Sequence, residues 1–385
     1  MQEEIKIEKA NTNSDIMGLF EHFGDMPDPR MARNQRHKLI DIISIAICAT
    51  IAEADGWTDM AEYGEAKQDF LGSFLELPNG IPSHDRFRDV FARLDPEAWQ
   101  ERFVSWTQAL EQRTKGELVS IDGKRLRGSV CKGAAKAAIH MVSAWANTNR
   151  LVLGQVKVDD KSNEIKAIPE LLAILGLSGT IVSIDAMGTQ RTIAQAIVEQ
   201  DGDYILALKG NQKTLHEAVK RMFEQREAAA FDSQVNEGHG RIEQRVCRVI
   251  HEVNDLDWPH LQSIAMRESR RQVGQKVTTE TRYYLSSLKQ ASAKQVAQAV
   301  RSHWGIENQL HWVLDVAFKE DACRIRAGNA AQNLATLRHL ALNFLRHETS
   351  SKRGIKGKRK KAAWNDVYML TVLRSLSPPV NTLSA

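Results

Sequence analysis

The sequence predicts an α/β protein in which a mixed sheet with crossover helices follows an all-helical segment. Residues 16–114 show helical periodicity, broken by Pro27 and Pro29 and again by a turn cluster at residues 77–82. From Glu117 onwards, stretches rich in β-branched residues are followed by alternating helical and extended stretches in the order βββαβαβ. That order requires crossover connections between parallel strands, and therefore a layered, mixed sheet.

The composition is that of a folded protein. With 385 residues, 42% hydrophobic and 26% charged, the chain is neither disordered nor collagen-like and is long enough for two structural units. The apolar run at residues 42–52 is shorter than the roughly 20 residues that cross a bilayer, and the charged start MQEEIKIEKA lacks the apolar segment of a secretory signal. The four cysteines form no CxxC pair. We expect a cytoplasmic protein with reduced thiols and no membrane partner.

Charge is distributed unevenly along the chain. Residues 1–118 hold 13 Lys and Arg against 22 Asp and Glu, whereas residues 301–385 hold 14 against 6. The basic C-terminal two-thirds favours a polyanionic partner such as nucleic acid. The acidic N-terminal segment argues against DNA binding along the whole length of the chain.

The helical segment is predicted to form an all-α N-terminal domain, residues 15–115, after a flexible lead of residues 1–14. Residues 37–51 are strongly apolar and amphipathic, and helices follow over 57–75 and 85–110. The segment IPSHDRFRDVFARL has the pattern of half a helix-turn-helix. Its small net charge makes a scaffolding role at least as favoured as DNA recognition.

The α/β domain is predicted over residues 116–350. Three strands, LVSIDGKRLRGS, AAIHMVSAWANTN and RLVLGQVKVDD, precede a helix over 162–175, and the strands TIVSID and DYILALK enclose a helix over 190–200. Residues 211–285 are predicted as a β-rich insertion that begins with a helix over 214–231. A long amphipathic helix then runs from Ser292 to about Ala317.

Residues 351–385 are predicted to form a basic C-terminal tail. Seven positive charges fall within the ten residues 352–361. A solvated loop and an arm that contacts DNA phosphate through Lys358, Arg359 and Lys360 are equally favoured interpretations.

Three carboxylates stand out by their positions. Asp122 lies inside an apolar strand, and Asp185 ends the strand TIVSID, where α/β sheets form ligand crevices. Glu307 lies on the long helix, with His303 and His311 one turn to either side. A buried Asp is often only a turn or cap residue, but the repeated apolar-apolar-x-Asp ending favours a shared site.

Three carboxylates that meet at a strand edge need a compensating positive charge. Mg²⁺ supplies it with oxygen ligands, and two such ions about 3.5–4 Å apart can activate an attacking oxygen and stabilise a leaving one. Asp315, two turns beyond Glu307, is the chief alternative for the third ligand.

Six ordered blocks of this sequence resemble the signature blocks of the H-repeat-associated insertion-sequence transposases, a DDE-superfamily group with an RNase H-like catalytic domain. The blocks are SIDGKRLRGS, KSNEIKAIPELL, IVSIDAMGTQ, DYILALKGNQ, GHGRIEQR and HWGIENQLHWVLDVAFKED. The N-terminal FGDMPDPR and RHKLIDIISIAICATIA resemble the accompanying helical domain, and the similarity runs from about residue 15 to about 345.

The resemblance implies that Asp122, Asp185 and Glu307 are the catalytic, metal-binding triad, with two Mg²⁺ or Mn²⁺ ions in each active site. It also implies a β-rich insertion between the second Asp and the Glu, and double-stranded DNA, both element ends and target, as the partner of a homodimer or higher oligomer. Many bacterial DDE transposases place Tyr, Arg and Lys around the catalytic Glu, where this chain has Val300, His303 and Leu314. His303 is therefore a hypothetical substitute for the Arg.

Other candidate DNA contacts lie at strand ends or along one strand face, where a plain solvent-exposed face is the alternative interpretation. These candidates are Lys124, Arg125, Arg127, Lys209, Asn211, Arg241 and Arg245. Trp304 and Trp312, on the long helix, are predicted to pack it onto the sheet rather than to stack on bases.

The predicted function is that of an insertion-sequence DNA transposase. Water attacks a phosphodiester at the element's end, and the freed 3′-hydroxyl attacks target DNA at the same carboxylates. Two alternatives remain open: an inactive or regulatory DNA-binding remnant, and a nuclease of the same fold that joins no strands.

Overall fold

A nine-stranded mixed sheet runs through the part of the chain that the structure describes. The structure is a computed structural model and describes residues 20–110, 116–130, 137–159, 163–238 and 240–376. The strands are β1 (Leu118–Leu126), β2 (Ile139–Ala146), β3 (Leu151–Val158), β4 (Ile181–Ile184), β5 (Asp203–Leu208), β6 (Ala230–Gly238), β7 (Arg241–His251), β8 (Ser263–Val273) and β9 (Lys276–Ser286).

The strand order confirms the predicted fold class. It is β3-β2-β1-β4-β5-β9-β8-β7-β6, with β1, β2 and β3 antiparallel and β4 and β5 parallel to β1. Three antiparallel strands followed by two parallel ones is the RNase H-like arrangement that the resemblance implied.

The helices pack against this sheet and against one another. They are α1 (Leu39–Ile51), α2 (Trp57–Ala66), α3 (Gln68–Leu71), α4 (His84–Arg93), α5 (Pro96–Leu110), α6 (Glu164–Ile174), α7 (Arg191–Val198), α8 (Lys213–Gln225), α9 (Ala293–Gly305), α10 (Trp312–Phe318), α11 (Ala330–His347), α12 (Ile355–Trp364) and α13 (Asp366–Arg374). A π-helical segment, Ile306–His311, joins α9 to α10. No helix among the described residues is long and apolar enough to span a membrane.

The insertion at residues 211–285 is rich in strands, as predicted, but it does not form a layer of its own. Its last strand, β9, pairs antiparallel with β5, so that β6–β9 continue the central sheet. The helix predicted over 214–231 ends at Gln225, because Ala230 already begins β6.

The N-terminal helices share one apolar core with the sheet. Helix α11 is buried along nearly its whole length and packs against α1, α4, α5 and β3. Two buried polar residues fasten it: the Trp99 indole donates to the Asn333 carbonyl at 3.1 Å, and the Asn333 amide donates to the carbonyls of Phe91 and Leu94 at 2.9 Å. The helical segment therefore depends on α11 for part of its packing.

The predicted basic tail is largely helical and packed, which corrects the prediction for residues 351–376. Arg359, 1% exposed, donates to the carbonyl oxygens of Thr50 at 2.8 Å and of Ala317. Lys358, 7% exposed, donates to the Leu345 carbonyl at 2.9 Å. A phosphate-contacting role for Lys358 and Arg359 is wrong, because both cations are buried and bonded to backbone.

Lys360 alone of these three candidates is exposed, and its contact with DNA remains a prediction. The flexible lead predicted at residues 1–14 and the end of the tail, residues 377–385, lie outside the described residues.

Candidate active site

Two aspartates lie next to each other on neighbouring parallel strands, Asp122 within β1 and Asp185 directly after β4. Strand β1 pairs with β4 in parallel, and Ile121 lies opposite Ile184, so Asp122 and Asp185 are the next residues on each strand. Because β4 stops at Ile184 while β1 continues to Leu126, Asp122 stands beside the crevice at the end of its neighbour. The parallel register therefore brings the two side chains to one edge.

Glu307 comes to this edge on the helix that packs across the sheet. Helix α9 begins at Ser292, whose side chain accepts from the Gln295 N–H at 3.1 Å, and it contacts the sheet through Val296 and Val300. The regular α-helix then changes to the π-helical segment that carries Glu307. Such wide turns occur frequently at functional sites.

Asp122, Asp185 and Glu307 line one cavity of about 250 Å³. The structure therefore brings together the three carboxylates singled out in the sequence. Asp315 does not line this cavity; its carboxylate accepts from the Lys124 ammonium at 2.5 Å.

The charged groups that line the cavity are three carboxylates and two cations, Lys209 and Arg282. Burial above all, together with the charges of Asp185, Glu164 and Glu307, raises the pKa of Asp122 to about 7, against one stabilising backbone hydrogen bond from Gly123. Asp185 is fixed differently, because its Oδ1 accepts from the backbone N–H groups of Met187 at 2.9 Å and Gly188 at 3.2 Å. A bound cation would relieve the repulsion among these groups.

The donor chemistry fits a hard divalent ion, since the three groups offer only carboxylate oxygens. Within the described ranges, however, no three His, Cys, Asp or Glu side chains are close enough together to hold an ion. A metal ion held by all three carboxylates would require them to lie closer together than they do in this structure.

The raised pKa of Asp122 predicts a pH-dependent stability of the metal-free protein. The folded chain holds a proton on Asp122 up to about pH 7, whereas the unfolded chain releases it near the ordinary pKa of 3.8. The contribution of Asp122 to the free energy of unfolding should therefore fall as the pH rises from about 4 to about 7, opposite in sign to the contributions of His303 and His311, whose pKa burial lowers. In EDTA, Asp122→Asn should remove this fall and, at pH 8, raise the free energy of unfolding by about 2–4 kcal/mol. Urea unfolding of the wild-type protein and of Asp122→Asn at several pH values measures this difference in the free energy of unfolding. Identical pH profiles for the two proteins would contradict the prediction.

Lys124 shares the face of Asp122 but is engaged within the protein. Its ammonium donates to Asp315 and, at 2.8 Å, to the buried carboxylate of Glu320, and it also reaches the His311 carbonyl at 3.3 Å. These bonds tie β1 to α10 and the turn after it. A DNA contact by Lys124 would have to compete with two carboxylates.

The two histidines that flank Glu307 face the strands. His303 Nδ1 lies 3.0 Å from Ser183 Oγ, and His311 Nδ1 lies 3.6 Å from Asp122 Oδ2. Burial lowers the pKa of His303, and it lowers the pKa of His311 to about 3, so both imidazoles are neutral at pH 7. A neutral His303 can donate a hydrogen bond but cannot replace the charge of an arginine.

The remaining predicted DNA contacts are spread around the site. Lys209 lines the carboxylate cavity, whereas the Asn211 amide donates to the Ala186 carbonyl at 2.6 Å and holds the turn after β4. Arg125 and Arg127 are exposed beside a neighbouring cavity. Arg241 and Arg245 lie on one face of β7, where both approach Glu243, at 3.5 and 2.7 Å.

The packing role predicted for Trp304 and Trp312 is wrong. The two side chains are 43% and 60% exposed and stand on either side of Glu307. The Arg282 guanidinium lies 5.4 Å from the Trp304 ring centre. Helical spacing alone had suggested burial, but the two positions face the cavities beside α9 and α10 rather than the sheet.

Sequence reasoning also missed a histidine–glutamate contact next to Asp122. Glu164 Oε1 lies 2.7 Å from His140 Nε2, and the pair lies directly over Gly123. A Cβ at Gly123 would come within 2.2 Å of that carboxylate oxygen, so the glycine makes the approach possible. The glycine after Asp122 was visible in the sequence, but its partners are set by the fold.

An RNase H-like sheet that brings Asp, Asp and Glu to one cavity is the arrangement of a DDE-type DNA transposase, the class to which we assign the chain. Residues 113–344 match the family described as "Transposase DDE domain", and residues 20–107 match the description "DDE_Tnp_1-associated". The chain belongs to the transposase DDE domain family.

Curated relatives agree with this membership. The chain is 43% identical over 375 residues to "Putative transposase YncI" of Escherichia coli O157:H7, covering 94% of this chain and 96% of the relative. It is 40% identical over 372 residues to "H repeat-associated putative transposase YhhI" of Escherichia coli K12, covering 93% and 98%. A solved structure of piggyBac transposase in a synaptic complex with hairpin DNA has a TM-score of 0.45 and 11% identity, over 96% of this chain and 78% of that chain.

Proposed function

We propose that this transposase cleaves the ends of an insertion sequence and joins them to target DNA at Asp122, Asp185 and Glu307. The observation that carries the proposal is that these carboxylates, from β1, the end of β4 and the π-helical segment, line a single cavity. The neighbouring charges of Asp185 and Glu307, which contribute to the raised pKa of Asp122, support it, because a cation would offset their repulsion. The proposed cofactor is Mg²⁺ or Mn²⁺, with two ions per site.

The bound ions would supply Lewis-acid activation of the attacking oxygen and stabilisation of the leaving oxygen. The chain's own groups set the geometry. The N–H groups of Met187 and Gly188 hold one oxygen of Asp185, and the Ser183–His303 hydrogen bond fastens the end of α9 to β4. That bond fixes the distance from Glu307, four residues further on, to the strand that carries Asp185.

The reaction is a pair of displacements at phosphorus. In the first, a water oxygen bonds to the phosphorus at the element's end, and the bond to the 3′-oxygen breaks to leave a free 3′-hydroxyl. In the second, that hydroxyl bonds to a phosphorus of the target, and the target's own 3′-oxygen leaves. We propose double-stranded element ends and target DNA as substrates, bound by a homodimer or higher oligomer, in the cytoplasm at the nucleoid.

The test uses the purified full chain with labelled DNA that carries the inverted repeats flanking its reading frame, and with an unlabelled target. Nicking at the element end in Mg²⁺ or Mn²⁺ but not in EDTA, followed by appearance of a labelled joined product, is the expected result. Nicking without joining would identify a nuclease of the same fold. DNA binding without nicking in either metal would identify an inactive remnant.

A further inference from the structure

Three surface cavities near Glu307 share lining residues. The carboxylate cavity shares Arg282 and Trp304 with a cavity of about 550 Å³, and it shares Asp122 and Glu307 with another of about 720 Å³. The three cavities therefore adjoin one another through shared wall residues, and together we call them the trough.

One end of the trough is positively charged. Its wall carries Arg245, Arg267, Arg282 and Arg301 against two acidic residues, Glu243 and Glu280. Arg267 on β8 lies directly opposite Arg282 on β9, so that guanidinium groups from adjacent strands lie side by side on the sheet. This end suits the phosphate backbone of a nucleic acid strand.

An exposed tryptophan lines the trough on each side of the carboxylate cavity's Glu307. Trp304 lies where the arginine-lined end meets the carboxylate cavity, and Trp312 lines the cavity on the other side of Glu307. Trp312 is 60% exposed, and Trp304, 43% exposed, has the Arg282 guanidinium 5.4 Å from its ring centre. A planar, apolar face beside guanidinium groups is the surface on which unpaired bases stack.

We propose that the trough binds a locally unpaired stretch of one DNA strand, with one base stacked on Trp304 and another on Trp312. The phosphodiester between them would then lie at Asp122 and Glu307, and this placement rests on the proposed function. The bases must be unpaired, because in a duplex each base face is covered by its neighbour and out of reach of a side-chain ring. The strand's backbone leaves the site along the arginine-lined end.

The test compares two DNA probes in EDTA, so that cleavage does not enter the measurement. One probe is a blunt duplex of arbitrary sequence, and the other is the same duplex with four central mismatches, one of them carrying 2-aminopurine. Fluorescence anisotropy gives the Kd for each. We expect the wild-type chain to prefer the mismatched probe by about tenfold or more and to quench its 2-aminopurine on binding.

Trp304→Ala and Trp312→Ala should each reduce this preference by about tenfold and weaken the quenching. Trp304→Phe and Trp312→Phe keep a ring and should retain most of both signals, which separates stacking from an effect on folding. Trp364→Ala is the matched control, because Trp364 is 72% exposed on α12 and lines none of the three cavities.

Equal affinity of the wild-type chain for both probes would overturn the proposal, and so would alanine variants that keep the full preference. Failure of the proposed function has a different signature, which is the absence of metal-dependent nicking by the wild-type chain. If the chain nicks element ends but shows no preference for unpaired DNA, the proposed function stands and the binding role proposed for the trough is wrong.

Discussion

Asp122→Asn, Asp185→Asn and Glu307→Gln are each expected to reduce nicking of labelled element ends by about 10³-fold or more. Each substitution keeps the shape of the side chain and removes its negative charge, and an amide is a poor ligand for a hard divalent ion. A bound ion contributes several kcal/mol to stabilising the transition state, and each 1.36 kcal/mol is a factor of ten in rate. Initial rates in Mg²⁺ and in Mn²⁺ measure the loss.

Asp315→Asn is the matched control for these variants. Asp315 is an acid on the same helical stretch, but its carboxylate binds Lys124 and lies outside the carboxylate cavity. It should therefore keep nicking within about tenfold of wild type, since losing a partly exposed ion pair costs little. Nicking lost in Asp315→Asn and retained in Glu307→Gln would assign the third position to Asp315 instead.

Thermal unfolding separates metal binding from catalysis. A ligand that binds only the folded chain raises its Tm, so Mn²⁺ should stabilise the wild-type protein. The three triad variants should lose this shift, whereas Asp315→Asn should keep it. A triad variant that is inactive yet keeps the full Mn²⁺ shift would have lost something other than its metal ligand.

Arg359→Ala is expected to lower the free energy of unfolding by about 3–5 kcal/mol. The substitution leaves the buried carbonyl oxygens of Thr50 and Ala317 without their donor, at roughly 1–3 kcal/mol each, and opens a space against the Phe318 ring, 4.2 Å away. Urea unfolding by circular dichroism measures the change.

Lys360→Ala is the control, because Lys360 is the neighbouring cation and is exposed. Its effect on stability should stay within about 0.5 kcal/mol. The basic-arm interpretation would be restored if Arg359→Ala left the unfolding curve unchanged and instead weakened DNA binding with a smaller dependence on salt.

The sequence located the two aspartates well because local pattern decides their setting. Apolar β-branched residues before Asp122 and Asp185 form strands wherever the chain places them, and the parallel pairing of β1 with β4 then aligns their ends. The helix that follows Ser292 could be predicted equally well, from its hydrophobic periodicity and its N-cap residue. The roles of these carboxylates in catalysis remain predictions.

Features that depend on distant partners could not be predicted in this way. Arg359 lies in a run of cations typical of a solvated segment, yet its carbonyl partner Thr50 is 309 residues away. The exposure of Trp304 and Trp312 is set by which residues of other elements lie around them, not by their spacing along the helix. Likewise, the pairing of β5 with β9 decides that the insertion widens the central sheet, and nothing local to either strand specifies it.

The burial of α11 determines which shortened copies of the gene could still encode a folded protein. A copy that lost the coding sequence for residues 20–110 would still encode the sheet and its carboxylates, but one side of α11 would be left facing water. Such a fragment would aggregate or be degraded rather than persist as a competitor for the DNA. A gene copy that has lost its 5′ end should therefore produce neither an active transposase nor a fragment that inhibits the intact transposase.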